Sequence, residues 1–170
     1  MSLEIREMAP DEVDVIIDYF HGSTVEHLEM LGVDPTRLPT PQDWRARYVS
    51  EYEKPVQDRS VMLVIWKLDG IAFGFSTSDK IIYGEQAHMH LHIVDPQRRR
   101  SGLGSACVRE TAKLYCNTLA LKRLLCEPNA FNAAPNRTLQ SAGFKYAKTY
   151  MTVPGPLNYH QAVTRWVFEK

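Results

Sequence analysis

The feature that most limits the possible folds is a strand pattern that runs through a glycine-rich loop into a helix pattern. Residues 86–95 read QAHMHLHIVD, in which histidine and apolar residues alternate. Residues 97–104 read QRRRSGLG, with three arginines just before two glycines, and residues 102–118 follow with a helical period. Glycines at a helix start let backbone N–H groups approach an anion closely. The stretch therefore predicts an α/β fold with a phosphate site between strand and helix.

Patterns along the rest of the chain extend this unit into one sheet. Residues 60–79 are typical of a hairpin, because Asp69-Gly70 supplies a two-residue turn. Further strands are expected at 3–8, 122–128, 144–153 and 162–169, and further helices after Pro10 and at 24–32, 42–52 and 132–143. We predict a single α/β domain over 1–170, with a mixed sheet of about seven strands and helices on both faces.

The overall charge argues against a nucleic-acid partner. The 170 residues include 20 basic and 20 acidic side chains, for a formal net charge of +0. Proteins that bind nucleic acids usually carry a basic excess. The run Arg98-Arg99-Arg100 is therefore a local feature, which suits one small anionic ligand better than a duplex.

The cysteines and the apolar runs indicate the compartment. Three cysteines, an odd and low number, argue against a disulfide framework and fit a reducing environment. Cys107 and Cys116 lie nine residues apart on a predicted helix, on opposite faces, and are not expected to pair. The longest apolar run, Val61 to Trp66, is far shorter than a membrane span, and MSLEIREMAP has no apolar leader core. We expect a cytoplasmic protein with no membrane partner.

Several kinds of loop fit arginines before paired glycines. A Walker loop requires glycine, lysine and serine or threonine in order, which the chain lacks. A dinucleotide-binding loop would have a third glycine where Cys107 stands, and its first glycine would follow the strand almost directly, whereas six or seven residues intervene here. In that case Glu127 would be the ribose acid. A plain loop with a solvated basic run is the remaining alternative.

The residues Arg99-Arg100-Ser101-Gly102-Leu103-Gly104 resemble the acyl-CoA signature of the GNAT superfamily of N-acetyltransferases. In that signature, glutamine or arginine precedes two free positions, a glycine, a free position, and a glycine or alanine. The element order resembles that fold over the whole chain. The segment EPNAFNAAPNRTLQSAGF is similar to a later family motif, in which an asparagine, here Asn132, precedes a helix closed by glycine and phenylalanine. Its start, Glu127-Pro128 with Asn132, is similar to an element of the siderophore-lysine and aminoglycoside acyltransferase branches.

The resemblance implies acetyl-CoA as co-substrate, no metal, and an acyl-CoA-binding core over 87–145. Backbone N–H groups of the loop and helix start would hold the pyrophosphate, the strand end would splay from its neighbour and pair with pantetheine, and Asn132 would contact the pantetheine arm. A helix N-cap role explains Asn132 equally well and is compatible with that contact. The implied cofactor-binding residues are His92, Ile93, Val94, Arg99, Arg100, Ser101, Gly102, Leu103, Gly104, Ser105 and Asn132.

The histidines at 88, 90 and 92 lie on one face of the predicted strand, opposite a core face of Met89, Leu91 and Ile93. Two histidines spaced in this way can share a zinc ion, although no further ligand cluster is evident. They can also be hydrogen-bonded residues of a polar cleft, or one can be a general base that deprotonates an amine.

Two histidines are candidates for that base. In histone-acetylating members of the family, the base lies eleven residues before the first signature residue, which corresponds to His88, while His90 shares the face and lies nearer the thioester end. Glu127 is the candidate that would orient one of them, or it is a solvated acid at a strand end.

One position departs from the family pattern. Many members have a tyrosine seven residues after the motif asparagine, which protonates the departing thiolate, and Leu139 stands there. We expect Leu139 near the sulfur, on nearly the same face as Asn132. Either Tyr146 or Tyr150 supplies the proton, or the thiolate leaves unprotonated.

These features predict an N-acetyltransferase that acts on a primary amine of a small molecule, peptide or protein. The alternative is a non-catalytic CoA-binding sensor on the same fold, which Leu139 favours. We expect the acceptor between the helices of 20–58 and the last hairpin, with a homodimer as one option for the assembly. The candidate residues for a cationic, partly apolar acceptor are Glu26, Glu29, Asp34, Asp43, Trp44 and Tyr48, although solvated helix faces explain the acids equally well.

Overall fold

The structure, a computed structural model, describes residues 1–95, 97 and 102–170. Within these residues the chain forms one sheet of seven strands and five α-helices. The strands are β1 (Leu3–Glu7), β2 (Met62–Leu68), β3 (Ile71–Ile82), β4 (Gln86–Ile93), β5 (Arg123–Cys126), β6 (Lys145–Thr152) and β7 (Gln161–Glu169). The helices are α1 (Asp14–His21), α2 (Val25–Met30), α3 (Pro41–Glu51), α4 (Leu103–Thr118) and α5 (Ala133–Ser141). The predicted α/β fold is confirmed.

The sheet is mixed, with the strand order β1-β2-β3-β4-β5-β7-β6. Only β4 and β5 pair in parallel, and the other neighbours are antiparallel. α4 connects these two parallel strands, as a parallel pair requires a crossover connection. The predicted hairpin also forms, because Asp69 and Gly70 have φ angles of 50° and 80°. Both residues of a two-residue hairpin turn of this type need positive φ angles.

Helices cover the two faces of the sheet unequally. α4 and α5 pack on one face, in a core with strand residues such as Val64, Met89 and Leu124. α1, α2 and α3 pack on the other face, in a second core with Leu63, Ile65 and other residues of β2 and β3. Among the described residues, none of β5, β6 or β7 belongs to this second core. The helical core therefore does not extend over that end of the second face.

The cysteines are buried and free. Cys107 and Cys116 are both buried in the core beneath α4, and neither forms a disulfide. The prediction that they do not pair is confirmed. No helix among the described residues is long and apolar enough to cross a membrane.

Candidate active site

A cleft opens where β4 and β5 separate. Their pairing runs from Gln86 with Arg123 to Met89 with Cys126, while β4 continues to Ile93 with β3 as its partner. After Cys126 the chain turns to β7 instead, and the N–H of Ala130 donates to the carbonyl of Ala162 at 2.9 Å. The resulting cleft has a volume of about 350 Å³ and is lined by residues of both separated strands. The expected splay of the strand end is thus present.

The start of α4 lies beside the end of β4. Gly102 is the N-cap residue with a φ of 79°, a left-handed conformation that favours glycine. A Cβ atom on Gly104 would lie 3.6 Å from Cγ2 of Thr138 and 3.9 Å from Cδ1 of Ile93. Leu103 and Ser105 continue the first turn, where backbone N–H groups lack helical partners. Arg99, Arg100 and Ser101 lie outside the described residues.

Asn132 lies at the N-cap position of α5, but its side chain does not cap the helix. Among the described residues its amide makes no capping hydrogen bond, and it lines the cleft. Instead, Nδ2 of Asn136 donates to the carbonyls of Asn132 at 2.7 Å and Asn129 at 3.0 Å. The prediction that the Asn132 side chain caps the helix is therefore wrong, and this side chain remains available to a molecule in the cleft.

His90 is the histidine with an acidic partner in the cleft. Its Nε2 is 3.1 Å from Oδ1 of Asp79 on β3, and both residues line the cleft. Burial disfavours the imidazolium, but the charge of Asp79 and the hydrogen bond outweigh it, so the pKa of His90 is raised. Burial likewise opposes ionisation of Asp79, and His90 outweighs it, so the pKa of Asp79 is lowered. Sequence reasoning missed Asp79.

His88 and His92 have different surroundings. His88 is buried, and burial lowers its pKa to about 4 although Glu127 opposes the shift. It is not among the described residues that line the cleft. The His92 ring packs against Tyr19, Phe20 and Phe75, with ring centroids 5.1 to 5.2 Å apart. The three histidines share a face as predicted, and His90 combines access to the cleft with a hydrogen bond to a carboxylate.

Glu127 belongs to a different polar group. Its Oε1 accepts hydrogen bonds from the hydroxyl of Tyr150 at 2.8 Å and from Nε of Arg165 at 2.5 Å. Burial opposes the charge of this carboxylate, but these two bonds outweigh it, so the pKa of Glu127 is lowered. No hydrogen bond joins it to a histidine in the described part of the chain. Its effect on His88 is an electrostatic one.

Leu139 is not at the cleft. It is fully buried in the core beneath α4 and α5. The expectation that it faces the sulfur is wrong because Asn132 has extended backbone angles, φ −84° and ψ 94°, and does not follow the helical period. Of the two alternative tyrosines, Tyr146 is 60% exposed, and Tyr150 bonds to Glu127 in the cleft wall.

Two loops close the far wall of the cleft. The N–H of Asp34 donates to the carbonyl of Leu157 at 2.8 Å, and that of Tyr159 donates to the carbonyl of Gly32 at 3.1 Å. A Cβ atom on Gly155 would lie 3.9 Å from Cε1 of His90, so this wall approaches the histidine closely.

The side chains of this wall differ from the predicted set. Trp44 and Tyr48 of α3 line the cleft as expected. The charged residues that this region contributes are Arg37 and Arg47. None of the predicted acids is among the described lining residues. These acids are Glu26, Glu29, Asp34 and Asp43.

The described residues contain no group of three or more histidine, cysteine, aspartate or glutamate side chains that could hold a metal ion. No protein-family model matches the chain, and no curated protein matches it in sequence. Solved structures do match. Aminoglycoside acetyltransferase AAC(6')-Ib, in complex with coenzyme A and kanamycin, superposes with a TM-score of 0.74 at 18% identity, over 99% of this chain and 95% of that one.

Two further structures agree in their fold. The ribosomal L7/L12 alpha-N-protein acetyltransferase RimL, in complex with coenzyme A, gives a TM-score of 0.76 at 14% identity, over 99% of this chain and 94% of that one. A GNAT-family acetyltransferase from Streptococcus pneumoniae gives 0.73 at 16% identity, over 99% of both chains. The chain therefore has the fold of the GNAT acetyltransferases.

Proposed function

We propose that the protein is an N-acetyltransferase that transfers the acetyl group of acetyl-CoA to a primary amine by direct attack. The observation that carries the proposal is the pair of His90 and Asp79 in the cleft between the separated ends of β4 and β5. A base at this place can act on an amine that enters from the side of α3. The fold shared with acetyltransferases solved with coenzyme A supports the same conclusion.

The residues around the cleft fit acetyl-CoA. The end of β4, from His92 to Val94, runs beyond the pairing of β4 with β5 and would offer backbone groups to the pantetheine amides. Asn132, whose side chain does not cap α5, would offer its amide. The first turn of α4, from Leu103 to Ser105, offers N–H groups to the pyrophosphate. The signature arginines Arg99 and Arg100 and Ser101 complete this proposed cofactor site.

The proposed reaction needs one base and one leaving group. Acetyl-CoA supplies an activated acetyl thioester. The amine nitrogen forms a bond to the acetyl carbon, the carbon–sulfur bond breaks, and Nδ1 of His90 takes the proton that the amine loses, directly or through water. The electron pair leaves with the sulfur. A thiol of cysteine-like pKa, about 8.5, departs as a thiolate at modest cost near neutral pH and is then protonated by water.

His90 is a better base than His88. The hydrogen bond from Nε2 to Asp79 leaves Nδ1 as the acceptor, and the carboxylate stabilises the imidazolium that forms. His88 has a pKa of about 4 and is therefore a weak base. The non-catalytic sensor was favoured by Leu139, which stands in place of the family tyrosine. Leu139 lies in the core, and the pair of His90 and Asp79 in the cleft favours the enzyme.

Two measurements test the proposal: release of free thiol from acetyl-CoA with a panel of amines, and calorimetric binding of CoA. Wild-type protein is expected to bind CoA and to release thiol only with an amine present. Gly104→Glu should abolish binding through its charge at the helix start, whereas the matched Gly104→Gln should bind far better, because a side chain begins at ordinary contact distance there. CoA binding without thiol release for any amine would refute the enzyme. Equal binding by both variants would refute the phosphate site.

A further inference from the structure

Among the described residues, the aspartate, glutamate and arginine side chains that line the cleft are, with one exception, matched by opposite charges. Asp79 is bonded to His90, and Glu127 is bonded to Arg165. Arg37 contacts Asp34, with Nε 3.3 Å from Oδ2, and donates from Nη1 to the carbonyl of Asn158 at 3.0 Å. These groups therefore hold the cleft walls together.

Arg47 is the exception. It lies on α3, is exposed to solvent and lines the cleft. Its guanidinium makes no ion pair or hydrogen bond with any other described residue. Asp43 lies one helical turn earlier, but no ion pair joins it to Arg47. An arginine guanidinium stays charged at all ordinary pH values and pairs with planar anions through two parallel hydrogen bonds. Among the residues that the structure describes, Arg47 is thus the lining arginine whose positive charge is unmatched.

The wall around Arg47 is apolar and aromatic. Trp44 lies three residues earlier on the same helix face, and Tyr48 is adjacent, both largely buried and both in the cleft wall. Leu31 and Leu157 add aliphatic surface from the two closing loops. The whole cleft, which an acceptor would share with the end of the pantetheine arm, has a volume of about 350 Å³, at the low end of the usual range for small-molecule sites. The acceptor side therefore suits a small molecule with an apolar body.

We infer that the acceptor is a small amine that also carries a carboxylate, which Arg47 binds while His90 takes the proton of the amine. A single unmatched positive charge corresponds to a singly charged carboxylate better than to a phosphate ester with up to two charges. The inference rests on the proposed acetyl transfer and narrows its substrate class. It also reverses the predicted acceptor charge, which relied on acids that do not line the cleft.

The experiment compares acceptors that differ only at one end. 6-Aminohexanoate, hexylamine and 1,6-diaminohexane share one chain length, and phenylalanine with phenethylamine provides an aromatic pair. Binding to the CoA complex is measured by calorimetry, and kcat/KM by thiol release. In wild type, at least one amino carboxylate should exceed its partner without a carboxylate by about 10- to 100-fold in both affinity and kcat/KM, the usual strength of a charge-assisted hydrogen bond.

Two variants on one helix make the test specific. Arg47→Gln should reduce that preference to near parity, because it should weaken the amino carboxylate far more than the amine that lacks the carboxylate. Arg45→Gln is the control, because Arg45 pairs with Asp14 at 2.7 Å and is not among the described lining residues. It should retain the full preference.

The outcomes separate the two proposals. Turnover without a carboxylate preference, equal losses in Arg45→Gln and Arg47→Gln, or preference for an aminoalkyl phosphate overturns the carboxylate acceptor and leaves acetyl transfer intact. Arg47-dependent binding of an amino carboxylate without any turnover supports the carboxylate site and refutes the enzyme.

Discussion

The two faces of the sheet differ in character, and the side chains of strand β4 lie alternately on both. Toward α4 and α5 it presents Met89, fully buried in a continuous apolar core. Toward the cleft it presents His90, bonded to Asp79. Beyond β5 the same polar face continues through Glu127, Arg165 and Tyr150, where α1, α2 and α3 no longer cover the sheet.

This difference teaches that adjacent residues of one strand have separate roles. Side chains of a strand alternate between the faces, so a one-residue step moves from packing to chemistry. Substitutions on the apolar face should therefore change stability without changing the chemistry of folded molecules. Substitution of His90, the histidine of the polar face with a carboxylate partner in the cleft, should change the chemistry with little effect on stability.

The largest effect is expected at His90. His90→Gln should lower kcat/KM by about 10²–10⁴-fold, the usual contribution of a general base, while CoA affinity and the melting temperature stay close to wild type. His88→Gln is the matched control on the same face and should retain most activity, because His88 does not line the cleft. Steady-state kinetics with a single acceptor provide the measurement. If His88→Gln is the more damaging variant, the assignment of the base is wrong.

The next effect concerns the apolar face. Leu139→Ala should lower the free energy of unfolding by about 2–5 kcal/mol, because it leaves a cavity in a fully packed core. Leu139→Met keeps the volume and should cost less than about 1.5 kcal/mol. Urea denaturation measures both, and kcat/KM per folded molecule should stay near wild type. A loss of activity without a loss of stability would indicate that Leu139 contacts the thioester, and it would contradict the division between the faces.

The smallest effect is a displacement of the pH profile. His90 must be neutral to act, so kcat/KM should fall as the pH drops through its pKa, which Asp79 holds above the ordinary 6.5. Asp79→Asn removes that attraction, so the pKa falls and the acid limb moves to lower pH. Comparing the two profiles with the same acceptor cancels the titration of the acceptor. An acid limb near 4 in the wild type would indicate His88, whose pKa is about 4.

Local patterns in the sequence were enough for the elements and their order. The alternation of β4 assigned its histidines and apolar residues to opposite faces, and Asp69-Gly70 marked the hairpin turn. The glycines of residues 102–104 marked the start of α4. These features depend on backbone geometry within a few residues, which side-chain periodicity and positive φ angles report directly.

The partners of the site residues were decided only by the tertiary structure. The β3–β4 register places Asp79 opposite His88, yet its carboxylate reaches diagonally to His90. On α3 the cleft receives Arg47 and not Asp43, although the two residues lie one helical turn apart on the same side of the helix. The sequence determined which residues share a strand face or a helix turn. Which of them meet across the cleft depended on contacts between segments distant in the chain, and these contacts have no local signature.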